Sequence, residues 1–234
     1  MTAEIICVGT ELLLGNIVNT NAAFLSEKLA YLGINCYFQT VVGDNRDRLL
    51  SVINTALSRA DILIFSGGLG PTEDDLTKET VAEALGKKLI RDKWAEQEIA
   101  DYFALRGRIP TDNNWKQADV IEGCEILYNK NGTAPGIFVS EGEKTVILLP
   151  GPPLELKSMF TDSVMPKLQQ KCGQVFYSQT VKIVGPGESS VETQILDMLN
   201  TQENPTIAPY AKTGEVHLRV TASCLLYTSD AADE

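Results

Sequence analysis

Short apolar runs alternate with stripes at helical spacing along the first 160 or so residues. Residues 5–8, 34–42 and 61–65 are apolar stretches bounded by turn residues, the pattern of buried strands. Between them, residues 19–32 put Ala22, Leu25, Leu29 and Leu32 on one helical face, with Gly33 as the stop. Residues 45–59 repeat this with Leu49, Ile53, Ala56 and Leu57. Further helices are predicted over 77–85 and 93–106, ended by Gly86 and Gly107, with Trp94, Tyr102 and Phe103 assigned to packing. Strands are predicted over 125–128, 136–140 and 144–149. The last runs through Pro150, Gly151, Pro152 and Pro153 into a helix with Leu156, Met159 and Phe160 inward. Strands alternating with helices predict an α/β fold in three layers, a mostly parallel sheet with helices on both faces. Ligands gather outside the carboxyl ends of such strands. The turns after Val8, Phe65 and Leu149 are therefore expected to open on one site.

After Lys171 the pattern changes. Residues 174–184 read as a strand, Gly185-Pro186-Gly187 as a turn, and 188–200 as a helix with Val191, Ile195 and Leu199 inward. Strands over 206–210 and 215–220 are expected to pair across Lys212-Thr213-Gly214. The result is a small β-α-β-β unit over 174–223, appended to a larger domain over 1–171. His217, the only histidine, alternates with Val216 and Leu218 and is expected to face outward.

Composition narrows the chemistry. Hydrophobic content of 44% and charged content of 22% suit a globular protein. No apolar run reaches membrane-spanning length, and no basic segment followed by an apolar one marks a secretory signal. The net charge of −11 argues against general nucleic-acid binding. Five scattered cysteines without a CxxC pair, with Cys7 and Cys36 in strand patterns as core residues, predict reduced thiols, no zinc site and a cytoplasmic setting. With one histidine, acid–base and metal chemistry must fall to carboxylates, lysines or water.

The richest candidate lies in DILIFSGGLGPTEDDLTKETVAEALG, residues 61–86. Gly67, Gly68 and Gly70 let the backbone turn sharply and expose N–H groups to an anion. Thr72 and Asp75 have the spacing of a capping box that would start a helix aimed at the same spot. A phosphate-bearing ligand fits there, with Asp74 or Asp75 holding a hard cation such as Mg²⁺. The same residues are also compatible with a Gly-rich turn and solvated acids.

Four spaced segments then carry a resemblance: GTELLLGNIVNTN at 9–21, SGGLGPTEDDLT at 66–77, NGTAPG at 131–136 and LLPGPPLELK at 148–157. Together they resemble the N-terminal part of the CinA (competence/damage-inducible protein A) family, which contains a MoaB/Mog-type, molybdopterin-binding-like domain. The unit from Gln174 resembles that family's KH-like middle domain. It lacks a GxxG RNA clamp and reads as a spacer or oligomerisation element. The resemblance implies a homodimer that hydrolyses a nucleotide diphosphate ester, ADP-ribose, to AMP and ribose 5-phosphate. Asp74 and Asp75 would be catalytic and metal-holding, with one of them orienting water. Ser66, Gly67, Gly68, Gly70, Thr72 and Thr77 would meet the diphosphate, and Lys116 and Gln117 would reach phosphate, although Trp115 stands where a smaller residue is expected. Glu11, Asn19 and Asn21 would contact ligand, or one asparagine would cap a helix. Gly132, Thr133, Ala134 and Gly136 would shape a turn, and Gly151 and Pro152 the opposite wall. Two alternatives remain open at this point: molybdopterin binding or adenylylation, and a non-catalytic nucleotide-binding module. Many relatives carry a C-terminal amidase domain acting on nicotinamide mononucleotide; no segment here supplies it, so no deamidase activity is expected. The final CLLYTSDAADE, residues 224–234, leaves the family pattern and resembles a translated sequencing-adapter sequence, and is set aside as non-native.

Overall fold

The structure, a computed structural model, describes residues 1–172 and 174–225. The adapter-like residues from 226 on lie outside it. Two units are resolved, one of Met1–Ala30 with Ile34–Leu168, the other of Tyr31–Gly33 with the chain from Gln169 onward. The elements run β1 (Thr2–Val8), α1 (Thr10–Leu13), α2 (Thr20–Tyr31), β2 (Asn35–Val42), α3 (Arg46–Arg59), β3 (Ile62–Ser66), α4 (Thr77–Ala84), β4 (Leu89–Arg91) and α5 (Lys93–Ala104). A 3-10 helix (Asp112–Ala118), β5 (Asp119–Ile121), β6 (Glu125–Leu127), β7 (Gly136–Glu141) and β8 (Lys144–Leu149) follow. Then come α6 (Pro153–Met159), a π-helical turn (Phe160–Val164), α7 (Met165–Cys172), β9 (Gln174–Val184), α8 (Glu188–Gln194), α9 (Leu196–Thr201), β10 (Thr206–Lys212) and β11 (Glu215–Leu225).

The larger unit is organised by a six-stranded sheet in the order β2-β1-β3-β8-β7-β6. β2, β1, β3 and β8 are parallel, and β7 and β6 are antiparallel additions. Nearly every residue of β1, β3 and β8 is buried, which is why they read as unbroken apolar runs. Glu4, in the middle of β1, is the exception. Its fully buried carboxylate takes a bidentate pair from Arg59 at 2.8 Å and a bond from the Thr40 hydroxyl at 2.8 Å, the pairing that burial of a charge demands.

Alternation along the strands divides the helices between the faces. Ile6, Val8, Leu63 and Phe65 share a core with Leu49, Ile53 and Ala56 of α3 and Val81 and Ala82 of α4. On the opposite face, the Cys7 thiol reaches the side chain of Asn19 and Ser66 bonds Asn21, which places α2 there. Phe24 of α2 meets Phe160 edge-on at 6.0 Å. Cys36 is not a core residue: β2 is an edge strand and the thiol is only half-buried. The β4–β5 pair forms a separate two-stranded sheet that the pattern did not mark, because three-residue strands are too short to show a period. No helix among the described residues is long and apolar enough to cross a membrane.

The smaller unit is an antiparallel sheet, β10-β11-β9, with Val191 of α8 packed on Val216 and Leu218. The helix expected over 188–200 is broken at Ile195 into α8 and α9. β11 pairs with β9 as far as Leu225, two residues beyond the expected end of the unit. His217 does not face solvent. It is 4% exposed, bonded to Glu215 at 2.7 Å and set edge-on against Tyr210. Strand alternation correctly put it on the face away from Val216 and Leu218, but these two neighbours cover that face.

Candidate functional site

β1, β3 and β8 end level with one another, Cys7 beside Ser66 and Ser66 beside Leu149. Their turns therefore open together, on a cleft of about 390 Å3. The glycine turn forms its floor. Gly67 and Gly68 have φ of 102° and 67°, which glycine adopts without strain. A Cβ at Gly67 would overlap the Val8 carbonyl oxygen. The Gly67 amide is not an anion donor, contrary to expectation, because it bonds the Leu149 carbonyl at 3.0 Å. The amides of Gly68, Leu69 and Gly70 make no hydrogen bond among the described residues, and all three residues line the cleft. The unpaired amides of the turn are thus those of residues 68–70.

The segment after the glycines also departs from expectation. Thr72 does not start a helix; residues 72–76 form a turn and α4 begins at Thr77. Asp75 acts in the turn itself, its Oδ2 accepting from the Thr72 amide at 3.0 Å and the Thr72 hydroxyl at 2.6 Å. Thr77 is fully buried and ties the loop, its hydroxyl donating to the Gly67 carbonyl at 2.9 Å and its amide to the Gly68 carbonyl at 3.1 Å. With both groups engaged, Thr77 is a brace and no ligand contact. Thr72 is exposed and bonded to Asp75, and neither Thr72 nor Ser66 lines the central cleft.

Asp74 and Asp75 both line it, joined by Glu11, Asp44 and Glu155, while no Lys, Arg or His among the described residues does. The Thr72 hydroxyl, the Asp74 backbone amide and the charge of Lys116 hold the Asp74 carboxyl below the usual aspartate range. It is therefore ionised at neutral pH and suited to holding a cation rather than taking a proton. Among the described residues no three acids converge on one point. A hard ion held by one or two carboxylates together with ligand oxygens fits this donor set, and Mg²⁺ is bound in that way.

Lys116 does not reach the cleft. Its ammonium bonds the Thr72 and Asp75 carbonyls at 2.9 and 2.7 Å and pairs with Glu79 at 3.5 Å. Three donors meet three acceptors, so Lys116 clamps the acidic turn. Its neighbour Gln117 is buried in the wall, donating to the Leu69 carbonyl and accepting from the Thr133 hydroxyl at 2.9 Å. Gly132, Thr133 and Ala134 line the cleft; Gly136 does not, and a Cβ there would overlap the Met159 sulfur.

From the first loop, Glu11 borders both the central cleft and an adjoining cavity of about 280 Å3 that also takes in Asn19, Asn21, Ser66, Gly151 and Pro152. Asn19 is the cap of α2, accepting from the Ala22 amide at 3.1 Å. Asn21 is 8% exposed; its amide donates to Ser66 Oγ and the Gly151 carbonyl, while Oδ1 has no partner among the described residues. A buried acceptor left free beside a cavity is an opening for a ligand hydroxyl. Pro152 precedes α6 at its N-terminus, and the cis bond found among the described residues is Asn204–Pro205.

Sequence reasoning missed Asp44, Glu155 and Tyr102. The Thr10 amide and hydroxyl both donate to Asp44 at 2.8 Å, and Asn129 donates to Glu155 at 2.7 Å. Each comes from a different element; Glu155 sits within the 148–157 segment but its residue type alone does not mark it as a cleft carboxylate, and no motif holds Asp44 or Tyr102. Lys78 was missed as well. It is buried behind the acidic turn, donates to the Lys116 and Asp119 carbonyls at 2.7 and 2.9 Å, and burial pushes its pKa down to about 8. Between that value and the unfolded pKa the unfolded chain binds more protons, so stability rises with pH there. Against Lys78→Met, wild type should gain about 2–3 kcal/mol from pH 7 to pH 10 in paired denaturant titrations. A difference independent of pH would show Lys78 to be unperturbed.

Two family models match the chain: a probable molybdopterin binding domain over residues 4–170 and the damage-inducible protein CinA KH domain over residues 178–229. A crystal structure of a CinA protein of unknown function from Thermoplasma acidophilum is 37% identical. It superposes with a TM-score of 0.66, covering 72% of this chain and 97% of that one. The chain belongs to the CinA family. A competence-damage inducible protein of Clostridium beijerinckii is 51% identical over 222 residues, and one of Bacillus cereus is 55% identical over 223. Both alignments cover 95% of this chain and 54% of the relative, so the chain spans about half the length of these CinA relatives.

Proposed function

We propose that this domain hydrolyses a nucleotide diphosphate ester, with ADP-ribose as substrate and AMP and ribose 5-phosphate as products. The supporting observation is the cleft itself. Residues 68–70, whose amides are unpaired, line a space bordered by five carboxylates and, among the described residues, no side-chain cation. A diphosphate would be repelled there unless divalent ions accompany it. When bound by Asp74 and Asp75, such an ion neutralises phosphate oxygens. The chain's own part is positioning. The 68–70 amides hold the anhydride, Asp75 is fixed by Thr72, and Asn21 Oδ1 with Glu11 accepts from sugar hydroxyls. Water adds to one phosphorus of the anhydride and gives up a proton to solvent, the bridging P–O bond breaks, and the departing phosphate carries the electron pair. The test is incubation with ADP-ribose and Mg²⁺ and chromatographic detection of AMP; absence of AMP with every divalent ion tried would overturn the reading. The family model over residues 4–170 favours a second reading, molybdopterin binding or adenylylation, which a pterin co-purifying with the protein would support.

A further inference from the structure

A second cavity, of about 440 Å3, adjoins the cleft, sharing Tyr102, Gly132 and Thr133 with it. Helix α5 forms one wall, and its sequence explains how. Ala95 and Ile99 face a small core with Ala118, packed by Phe103 and Trp115. Trp94, Glu98 and Tyr102, each four residues from the next, form the neighbouring stripe and line the cavity. Trp94 and Tyr102 were expected to be packing residues. Instead Trp94 is 45% exposed and Tyr128, which also lines the cavity, 46%, their rings meeting edge-on at 6.0 Å.

We propose that this cavity is the subsite for a planar nitrogen heterocycle, the nucleobase of the ligand whose phosphates lie on residues 68–70. The inference rests on the phosphate reading of the cleft and adds where the rest of the ligand goes. Half-exposed aromatic faces beside a cavity are suited to stacking a π-system, which is worth about 1–3 kcal/mol per base. Tyr102 marks the junction, with the Arg106 guanidinium over its ring at 3.5 Å from the centroid. From Tyr102 to Trp94 the helix rises about 12 Å, room for a nucleoside to extend from the cleft. Glu98 makes no hydrogen bond among the described residues and offers a carboxylate acceptor to an exocyclic amino group. Such a group is present in adenine.

The chain has two tryptophans, so Trp115→Phe leaves Trp94 as the sole indole reporter. In that variant of the full chain, AMP and ADP with Mg²⁺ should quench Trp94 fluorescence saturably, whereas inorganic pyrophosphate should displace ADP without quenching. Trp94→Ala and Tyr128→Ala, checked for fold by circular dichroism, should each bind AMP about 5- to 100-fold more weakly by calorimetry. Their affinity for inorganic pyrophosphate should be unchanged, and Trp94→Phe should restore most of the AMP affinity. AMP binding unaltered in both alanine variants would overturn the subsite. So would a Trp94 signal that follows protein concentration instead of nucleotide. Quenching by AMP in a protein that releases no AMP from ADP-ribose would keep the subsite and remove the hydrolase reading. AMP release with unchanged KM in both alanine variants would do the reverse.

Discussion

Asp74→Asn should lower turnover of ADP-ribose by about 100- to 1,000-fold while leaving thermal stability within about 0.5 kcal/mol of wild type. The side chain is exposed, so its replacement removes a charge without disturbing packing. That charge is present throughout the neutral range, since the carboxyl is held below an aspartate range that already lies well under it. Asp75→Asn tests a different combination. Its Oδ2 carries both the amide and the hydroxyl of Thr72. The neutral amide keeps an acceptor but weakens two charge-assisted bonds, so a loss of about 1 kcal/mol should accompany the loss of rate. Steady-state kinetics and melting curves on the two variants separate a residue that acts only on the ligand from one that also shapes the loop. Full turnover in both would remove the carboxylate role altogether.

The contrast between these neighbours shows what the sequence could and could not disclose. Strand and helix identity came from periodicity, and the buried parallel strands were legible because all their neighbours are apolar. The convergence of the turns after Val8, Phe65 and Leu149 followed from topology, and the parallel register bears it out. Hydrogen-bond allegiance was not legible. Gly67, Thr77 and Lys116 each have the chemistry to meet a phosphate, and each is engaged within the loop: Gly67 by Leu149, Thr77 by Gly67 and Gly68, Lys116 by Thr72, Asp75 and Glu79. A motif gives residue types at a spacing and leaves open whether a donor points outward or is used to hold the turn. Trp94 failed for a related reason. Its spacing placed it on a helix, but α5 buries only the stripe of Ala95 and Ile99, and one residue of offset turns a side chain about 100° around the axis. Asp44 and Glu155 show the limit of local reading, since they reach the cleft from α3's entry and from α6 and share no segment with the glycines.

The glycine turn itself separates folding from binding in one experiment. Gly67→Ala forces an L-residue to φ near 102° and drives its Cβ into the Val8 carbonyl, a backbone atom at the end of the interior strand β1 that cannot yield. A loss of about 2–5 kcal/mol in unfolding free energy should follow. Gly70→Ala is different. Gly70 is not in the left-handed region, and what a Cβ there would meet is the carboxylate of Asp75. A side chain can move where a strand cannot, so the cost should be confined to the two Thr72 bonds that Asp75 gives up, about 1–2 kcal/mol and below that of Gly67→Ala. Turnover should then fall at least about tenfold, because a misplacement near 1 Å is enough to impair an aligned site. Chemical denaturation of both variants, with AMP release measured on each, gives opposite profiles under this account. If Gly70→Ala keeps full activity, the position of Asp75 against the loop has no bearing on the reaction, and the anion must be held without it.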